Sequence, residues 1–493
     1  MTELQHETAR PGVQRLPGGR LGVFAVVCLV VSAAAPLTVA ASAGATSYRL
    51  GGLGGPLAML VCAVVLICFS FGFTAMSGHV TNSAAFYAYV GKGFGRPAGL
   101  GVAAVTTFAY VVLTCSFYGF IGFFTAIGMR TIFGIEVHWF VGSALAWGVV
   151  TFLGHRSAEA GARVLAVILA GEVGILVILS VAALVNGGPE PMSLGSYQPG
   201  LLFVPGAAAL FVLGFGAFVG FEGTAIYAEE AKRPKRTVPL ATYIAVGFLG
   251  VFYSFVFWIY TVAFGVEGVL LAAQEDDFQD MIFIASTTYL GDWAAKVIAV
   301  LVVTSFLACV LAFHNSSARY IFSLGRDRVL PAYLGDVHPR HGSPSKASLT
   351  VSCIAAVPLI VVAVAGADVF LVFGLIAYAI GVAAIIFAQA VAALAVVGYF
   401  ARDRRGHSPW RVLIAPSIGA LGLTVAWIAI VANFSIISGL EGAWQNIALI
   451  LPTPILFVVG ILLANRWRRT DPARFDGLAQ DIGTTTIVVD RVE

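Results

Sequence analysis

Long apolar runs, separated by short polar segments, cover most of this chain. A helix needs about 20 mainly apolar residues to cross a bilayer, and the runs reach that length. Uncharged runs repeated this often predict an all-α membrane protein. The pattern predicts twelve transmembrane helices, at about 21–46, 54–76, 98–127, 138–154, 163–185, 201–228, 239–265, 281–313, 347–366, 369–399, 411–433 and 443–465.

Two of these runs contain residues that interrupt a helix. In the first run, VSAAAPLTVA carries Pro36, which removes a backbone hydrogen bond and clashes with the preceding turn. In the sixth run, FGAFVGFEG carries Gly220, Glu222 and Gly223. Glycine weakens a helix, and a carboxylate in hydrocarbon is costly unless it faces a cavity or another helix. We therefore expect helices 1 and 6 of the predicted set to be discontinuous.

The positions of the two interruptions suggest an internal repeat. If helices 1–5 (about 21–185) and 6–10 (about 201–399) form two repeats, both interruptions fall in the first helix of a repeat. An odd number of helices gives the two repeats opposite orientations. Broken helices at equivalent positions mark the substrate site of many secondary transporters. The pattern thus predicts a five-plus-five inverted repeat, followed by helices 11 and 12 over about 411–465.

The distribution of charge orients the predicted helices. With both termini in the cytoplasm, all but Arg49, Arg130 and Lys296 of the 28 Lys and Arg residues fall on the cytoplasmic side. Membrane proteins show this positive-inside bias. Residues 1–20 and 466–493 are then expected to be cytoplasmic tails around one permease domain, 21–465. The predicted location is the cell (cytoplasmic) membrane.

Composition excludes several classes of protein. The chain is 59% hydrophobic and only 11% charged, whereas soluble domains are about a quarter charged. The basic residues suit the membrane, so no nucleic-acid partner is expected. A membrane enzyme would need clustered His, Cys or Asp residues at one face, and HPRH at 338–341 is the nearest approach. We therefore expect neither an enzyme nor a metal site nor a cofactor.

Three stretches resemble signature segments of the amino acid–polyamine–organocation (APC) permease superfamily. They are GFEGTAIYAEEAKRPKRTVPLA at 220–241, SAAFYAYVGKGFGRPAG at 83–99 and SARYIFSLGRDRVLP at 317–331. The resemblance implies a five-plus-five, LeuT-like core with two extra helices, and transport by alternating access. It also implies amino acid or amine cargo, driven by a proton or ion gradient or by exchange.

The resemblance places the substrate at the two breaks. Where the family often has a Gly-x-Gly stretch that holds the substrate carboxylate, this chain has Ser32, Ala33, Ala34 and Ala35. We expect their amides to bind the carboxylate, while carbonyls around Gly220 and Gly223, with Glu222 nearby, face the ammonium group. Several exchangers of the family have a tryptophan gate where this chain has Gly216, and Phe215 or Phe218 is the substitute that we expect.

Four further residues are candidates for coupling to an ion. Glu222 and Glu172, both within apolar runs, are proton-coupling candidates. The alternative for Glu222 is a hydrogen bond to unwound backbone, and the alternative for Glu172 is a role in helix packing. Thr304 and Ser305 lie about where sodium-coupled relatives of this fold bind sodium, although such hydroxyls also join membrane helices.

His314 and Asn315 are expected to end the eighth helix.

The predicted function is therefore secondary active transport of amino acids across the bilayer, proton-coupled or by exchange. Two alternatives remain open. One is a polyamine or organic-cation transporter of the same fold, in which Glu222 pairs with an amine. The other is a sodium-coupled symporter.

Overall fold

The computed structural model describes residues 21–80, 84–155, 162–226, 231–339 and 342–479. The predicted tail at 1–20 lies outside this part, as do residues 480–493 of the second predicted tail. Within the described ranges the chain folds almost entirely into helices and forms no named strand; a single parallel bridge joins Leu21 to Ala231.

The helices alternate between long segments and short pieces. Three π-helical turns (Val39–Gly44, Val369–Ile376 and Trp410–Ile414) are continuous with α-helices. In chain order the α-helices are α1 (Val23–Ala34), α2 (Pro36–Thr38), α3 (Ala45–Gly51), α4 (Gly55–Ser77), α5 (Ala85–Phe94), α6 (Arg96–Phe133), α7 (Trp139–His155), α8 (Ala162–Asn186), α9 (Ala207–Phe218), α10 (Gly223–Ile226), α11 (Pro234–Phe264), α12 (Val266–Ala272), α13 (Met281–Leu290), α14 (Asp292–Arg326), α15 (Ser345–Ala365), α16 (Ala377–Arg402), α17 (Ala415–Ala432), α18 (Phe434–Ser438), α19 (Ala443–Ile450), α20 (Pro452–Thr470) and α21 (Pro472–Asp476).

Several of these segments are long and apolar enough to cross a membrane. In the described part of the chain there are eight such segments, or nine if α19 and α20, which meet at 41°, form one. The shorter α7 and α9 are also apolar, and each of the twelve predicted ranges contains a helix. Because not all of these helices are long enough to count as spans, the number twelve stays a prediction. The eight are Val23–Ser77, Arg96–Phe133, Ala166–Asn186, Arg236–Phe264, Asp292–Arg326, Ser345–Ala365, Val369–Arg402 and Trp410–Ala432.

The eighth predicted helix has different ends from those expected. The range 281–313 divides at Gly291, whose φ of 90° suits glycine and separates α13 from α14. At the other end α14 continues to Arg326, so the expectation that His314 and Asn315 end this helix was wrong. His314 is fully buried inside α14, and its Nε2 lies 2.8 Å from the hydroxyl of Ser348. Tertiary packing keeps this mixed polar segment helical.

The long helices pack around the two interrupted segments. Helix α6 lies against α14, α16 and α20, and α11 lies along α4. The first interrupted segment, α1 with α2, touches α8, α11 and α14, while α9 touches α4 and α16. Both interruptions are therefore enclosed by helices, whereas α11, α15 and α17 carry many exposed aliphatic side chains on their outer faces.

Candidate functional site

The first interruption lies between α1 and α2, at Ala35. This residue has φ 47° and ψ 74°, a left-handed conformation that is rare for a residue other than glycine. Pro36 follows it, and a residue before proline is sterically disfavoured in the right-handed helical region. The carbonyl of Ala34 at this break accepts a hydrogen bond of 2.9 Å from the Tyr253 hydroxyl. Local sequence and a side chain of α11 thus stabilise the break together.

The second interruption lies between α9 and α10, over Val219 to Glu222. Gly220 has φ 110° and allows the chain to turn out of the helix. The turn is closed by backbone hydrogen bonds from Phe221 to Phe218 and from Gly223 to Gly220. Gly220 is therefore needed for the backbone conformation of this turn.

The two interruptions lie beside each other. A Cβ atom added to Gly220 would lie 3.4 Å from the Cβ of Ala33, which is ordinary van der Waals contact. On either side of this contact the helices leave a cavity, and Ala33 and Phe313 line both. The meeting of the breaks therefore separates two spaces inside the helix bundle.

The first cavity lies along the part of the interrupted helix that follows Pro36. Its volume in this conformation is about 30 Å³. Hydroxyl-bearing, aromatic and aliphatic side chains make up its lining, together with backbone at both breaks. The lining residues are Ala33, Ala34, Thr38, Val39, Ser42, Ala43, Thr46, Phe117, Phe120, Leu213, Gly216, Val219, Cys309, Phe313, Phe370, Leu375 and Tyr378.

The second cavity, of about 20 Å³, lies along the part of α1 that precedes the break. Its lining is more polar than that of the first. The lining residues are Leu29, Val30, Ala33, Tyr110, Gly220, Gly223, Ala312, Phe313, Asn315, Ser316 and Arg319.

Glu222 bonds to the break that contains it. Its carboxylate accepts hydrogen bonds from the backbone amide of Gly220 at 3.1 Å and from the Tyr110 hydroxyl at 2.5 Å. The side chain is almost fully buried and lines neither cavity, although both of its partners line the second. In this conformation Glu222 organises the second break and does not face the first cavity.

Glu172 connects three helices. Its Oε2 accepts a hydrogen bond of 3.3 Å from the backbone amide of Leu37, in α2. The buried hydroxyl of Ser305, on α14, lies against the same carboxyl group. The neighbouring Thr304 turns elsewhere, because its hydroxyl donates to the carbonyl of Leu301 one turn earlier. Of the two predicted cation-site residues, only Ser305 meets Glu172.

The remaining predicted residues divide between the cavities and the packing. Ala33 and Ala34 line the first cavity, and Gly220 and Gly223 line the second. Ser32, Ala35, Phe215 and Phe218 line neither. Ser32 to Ala34 remain within α1, so the amide that the break leaves without a backbone acceptor is that of Leu37. A helix end exposes amides at its start and carbonyls at its finish, which explains this shift from the expected Ser32–Ala35 amides.

Two groups of lining residues went unrecognised in the sequence. Thr38, Ser42 and Thr46 recur every four residues, which places hydroxyls on one helix face; that spacing was a readable signal. Tyr378 was not foreseeable, since it comes from α16, far along the chain. A Cβ added to Gly216 would lie 2.1 Å from its hydroxyl oxygen, so Tyr378 fills the space where a tryptophan gate was considered.

No cluster suited to a metal ion accompanies these cavities. Among the residues that the structure describes, no group of three or more His, Cys, Asp or Glu side chains could hold one. Hydroxyls, backbone groups and two buried carboxyl groups, with Asn315 and Arg319 at the second cavity, therefore make up the chemistry of the region.

A comparison with protein families gives a match over most of the chain. The model of a family described as amino acid permease matches residues 21–475. That range contains both interruptions, both cavities and nearly all the described helices.

Individual proteins that are similar to this chain share between 22% and 28% of aligned residues with it. An uncharacterised transporter of Mycobacterium tuberculosis is 26% identical over 370 residues, which are 73% of this chain and 78% of that protein. The branched-chain amino acid permease BcaP of Bacillus subtilis is 28% identical over 34% of this chain and 35% of its own length. The chloroplastic cationic amino acid transporter 6 of Arabidopsis thaliana is 22% identical over 60% of this chain and 53% of its own.

Proposed function

This chain is a multi-pass membrane protein that belongs to the amino acid permease family, and we propose that it moves amino acids across the cell membrane by alternating access. The observation that carries this proposal is the contact between the two interrupted helices at Ala33 and Gly220, with a cavity on each side. A barrier with a space on either side is what a carrier needs in order to open to one side at a time.

The architecture proposed for this carrier has twelve spans, with a five-plus-five inverted repeat. Its support is the position of the two interruptions, in the first and sixth of the predicted ranges. Under this proposal the repeats cover about 21–185 and 201–399, and the segments over about 411–465 add two further spans. Discontinuous helices at corresponding positions of two repeats form the substrate site in such folds.

The proposed orientation has both termini in the cytoplasm. It gains support from two of the arginines that the charge count left on the other side. The Arg49 guanidinium donates to the carbonyls of Ala273 and Glu275, and Arg130 pairs with Asp280. Both arginines therefore hold the segment 273–280 and lie on one face, in agreement with a charge count that assigns them to the same side of the membrane.

Between the two proton-coupling candidates, the geometry favours Glu172. An ionised carboxylate accepts a stronger hydrogen bond than a protonated one, so a proton on Glu172 weakens its bond to Leu37. The bond joins α8 to the helix that follows the break, and its loss frees that helix to move. Glu222, by contrast, bonds within its own break and to α6. We assign Glu222 to shaping the site and Glu172 to proton coupling.

The two alternatives have narrower support. For a sodium site, Ser305 and Glu172 supply oxygen atoms next to the first break, while Thr304 has its hydroxyl bonded to its own helix. For a polyamine or organic cation, Glu222 is the acid nearest the breaks, yet it lines neither cavity. Amino acid transport driven by protons or by exchange is therefore the function that we propose.

Uptake into proteoliposomes that contain the purified full-length chain tests the proposal. Labelled amino acids and putrescine are offered under a proton gradient, a sodium gradient or an internal load of unlabelled amino acid, with protein-free liposomes as control. We expect accumulation of at least one amino acid under the proton gradient or the internal load. Uptake of no amino acid under any condition contradicts the proposal, and uptake of putrescine alone favours the cation alternative. Accumulation only under the sodium gradient assigns the coupling to sodium.

A further inference from the structure

The walls of the first cavity carry no side chain that is ordinarily charged at neutral pH. None of its lining residues is Asp, Glu, Lys, Arg or His, and the two nearby carboxyl groups of Glu172 and Glu222 are turned away to backbone amides. Aromatic side chains dominate one end instead. Phe117 and Phe313 lie with ring centroids 4.8 Å apart, Phe120 and Phe370 at 5.3 Å, and all four line the cavity.

A charged side chain is costly to bring into such a space. An unpaired ammonium, guanidinium or carboxylate group loses its hydration without gaining a partner, whereas an aliphatic or aromatic side chain gains by leaving water. We propose that this site selects neutral amino acids with a bulky apolar side chain, branched-chain or aromatic, and excludes cationic and acidic ones. This inference rests on the proposed amino acid transport and specifies its substrate class.

The cavity also supplies acceptors for the ammonium group. The hydroxyls of Thr38, Ser42 and Thr46 each donate to a carbonyl of their own helix, of Ala35, Thr38 and Ser42 respectively, at 2.6 to 2.7 Å. With the hydrogen used in this way, each oxygen presents only lone pairs to the cavity. Neighbouring hydroxyls of this wall are about 6 Å apart along the helix, so the ammonium group of a substrate can donate to one of them or lie between two.

A donor for the carboxylate comes from α16. The Tyr378 hydroxyl lies in the notch at Gly216, and no described residue forms a hydrogen bond with it. Because the Leu37 amide is bonded to Glu172, this phenol is the donor that the cavity offers to a carboxylate. The substrate backbone then lies within reach of the Tyr378 hydroxyl and of the hydroxyls of the first interrupted helix, and its side chain packs against the phenylalanines that surround the Tyr378 ring.

Exchange in proteoliposomes tests the substrate class independently of any coupling ion. Vesicles containing the full-length chain are loaded with unlabelled leucine, and entry of labelled leucine is measured while unlabelled competitors are added outside. We expect isoleucine, valine and phenylalanine to compete at concentrations at least tenfold lower than alanine, lysine, arginine or glutamate. A difference of one methylene group in an apolar pocket already changes selectivity by about 10- to 200-fold.

Failure of this inference differs from failure of the proposed function. If labelled arginine, lysine, glutamate or alanine enters vesicles loaded with the same unlabelled amino acid, while leucine and phenylalanine do not exchange, the chain transports amino acids and the apolar class is wrong. If no amino acid exchanges or accumulates, amino acid transport itself is wrong. Equal competition by apolar and charged amino acids likewise overturns the proposed selectivity.

Two variants test the assignment of the walls. Tyr378→Phe removes the donor to a group that all amino acids share, so the apparent affinities for leucine and phenylalanine should fall by a similar factor, about tenfold. Phe120→Ala enlarges the side-chain end, so the ratio of tryptophan to leucine uptake should rise about tenfold. The matched controls are Tyr333→Phe and Phe248→Ala, at exposed positions outside the cavity. Folded variants, judged by size-exclusion profile, that behave like their controls contradict the assignment.

Discussion

The backbone amide of Leu37 donates a hydrogen bond of 3.3 Å to Oε2 of Glu172. In an uninterrupted helix this amide would bond to the carbonyl of Ala33, but the left-handed conformation of Ala35 moves that carbonyl away. A residue 135 positions later in the chain supplies the acceptor instead. The break in the first helix is therefore completed by a side chain of α8, and any change in that carboxyl group reaches the break directly.

Replacing Glu172 by Gln should separate proton coupling from exchange. The amide oxygen of Gln still accepts from Leu37, so the protein should fold, but the side chain takes up no proton. We expect exchange of amino acid in proteoliposomes to persist and accumulation under a proton gradient to fall at least tenfold. Glu222→Gln is the matched comparison and should retain accumulation. Loss of accumulation in Glu222→Gln alone would transfer the coupling role to Glu222.

Glu172→Ala should behave differently, because it leaves the buried Leu37 amide without an acceptor. An unsatisfied buried donor costs about 1–3 kcal/mol. We expect a lower thermal unfolding temperature in detergent than for Glu172→Gln. Equal unfolding temperatures of the two variants would show that the Leu37 amide finds another acceptor.

Gly220→Ala tests the backbone of the second break. The φ of 110° at this position is strained for any residue with a Cβ atom, at about 1–3 kcal/mol, while the space beside it is sufficient, with 3.4 Å to Ala33. The variant should be less stable and slower in uptake. Gly247→Ala in α11 is the control, since nothing lies within 4 Å of its added Cβ, and it should be as stable as the parent chain. If the two substitutions lowered stability and uptake equally, the positive φ of Gly220 would not be the cause.

Gly216→Ala tests the close approach of α9 to Tyr378. The added Cβ would lie 2.1 Å from the tyrosine hydroxyl oxygen, so the ring must move out of the notch. We expect uptake of amino acid to fall about tenfold in a chain that still folds. Gly148→Ala in α7, which meets nothing within 4 Å, is the control and should transport normally. Unchanged uptake in Gly216→Ala would mean that the position of Tyr378 does not matter.

The pH dependence of stability should include a contribution from Asp327, just beyond α14. Burial raises the pKa of this carboxyl group above its ordinary value, although the hydrogen bond from Tyr87 and the charge of Arg326 act in the opposite direction. The folded chain therefore keeps this proton at pH values where the unfolded chain, with a pKa of about 3.9, has lost it. By linkage, stability falls as pH rises from about 3.9 through the raised pKa.

Thermal unfolding of the parent chain and of Asp327→Asn between pH 4 and 8 measures this contribution. The difference in unfolding temperature between the two proteins should change with pH, in favour of the variant at the higher values. A constant difference across the range would exclude Asp327 as a source of the pH dependence.

Local chemistry is what the sequence could predict. The helical runs follow from apolar composition, because a bilayer leaves backbone groups no partner outside the helix. The breaks follow from Pro36 and from the glycines of the second segment, because proline lacks a donor and glycine permits positive φ. The four-residue spacing of Thr38, Ser42 and Thr46 was equally readable. Each of these features depends on residues that are close together in the chain.

Side chains that meet across the bundle are a matter of packing. Glu172 could be recognised as an acid in an apolar run, but its bond to Leu37 depends on how α8 lies against the break. Gly216 could be recognised as small, yet the filling of its notch by Tyr378 requires α16 to lie beside α9. The burial of His314 within α14 has the same origin. Composition and spacing thus establish helices and their interruptions, while contacts between residues distant in the chain arise from packing, which pattern alone does not encode.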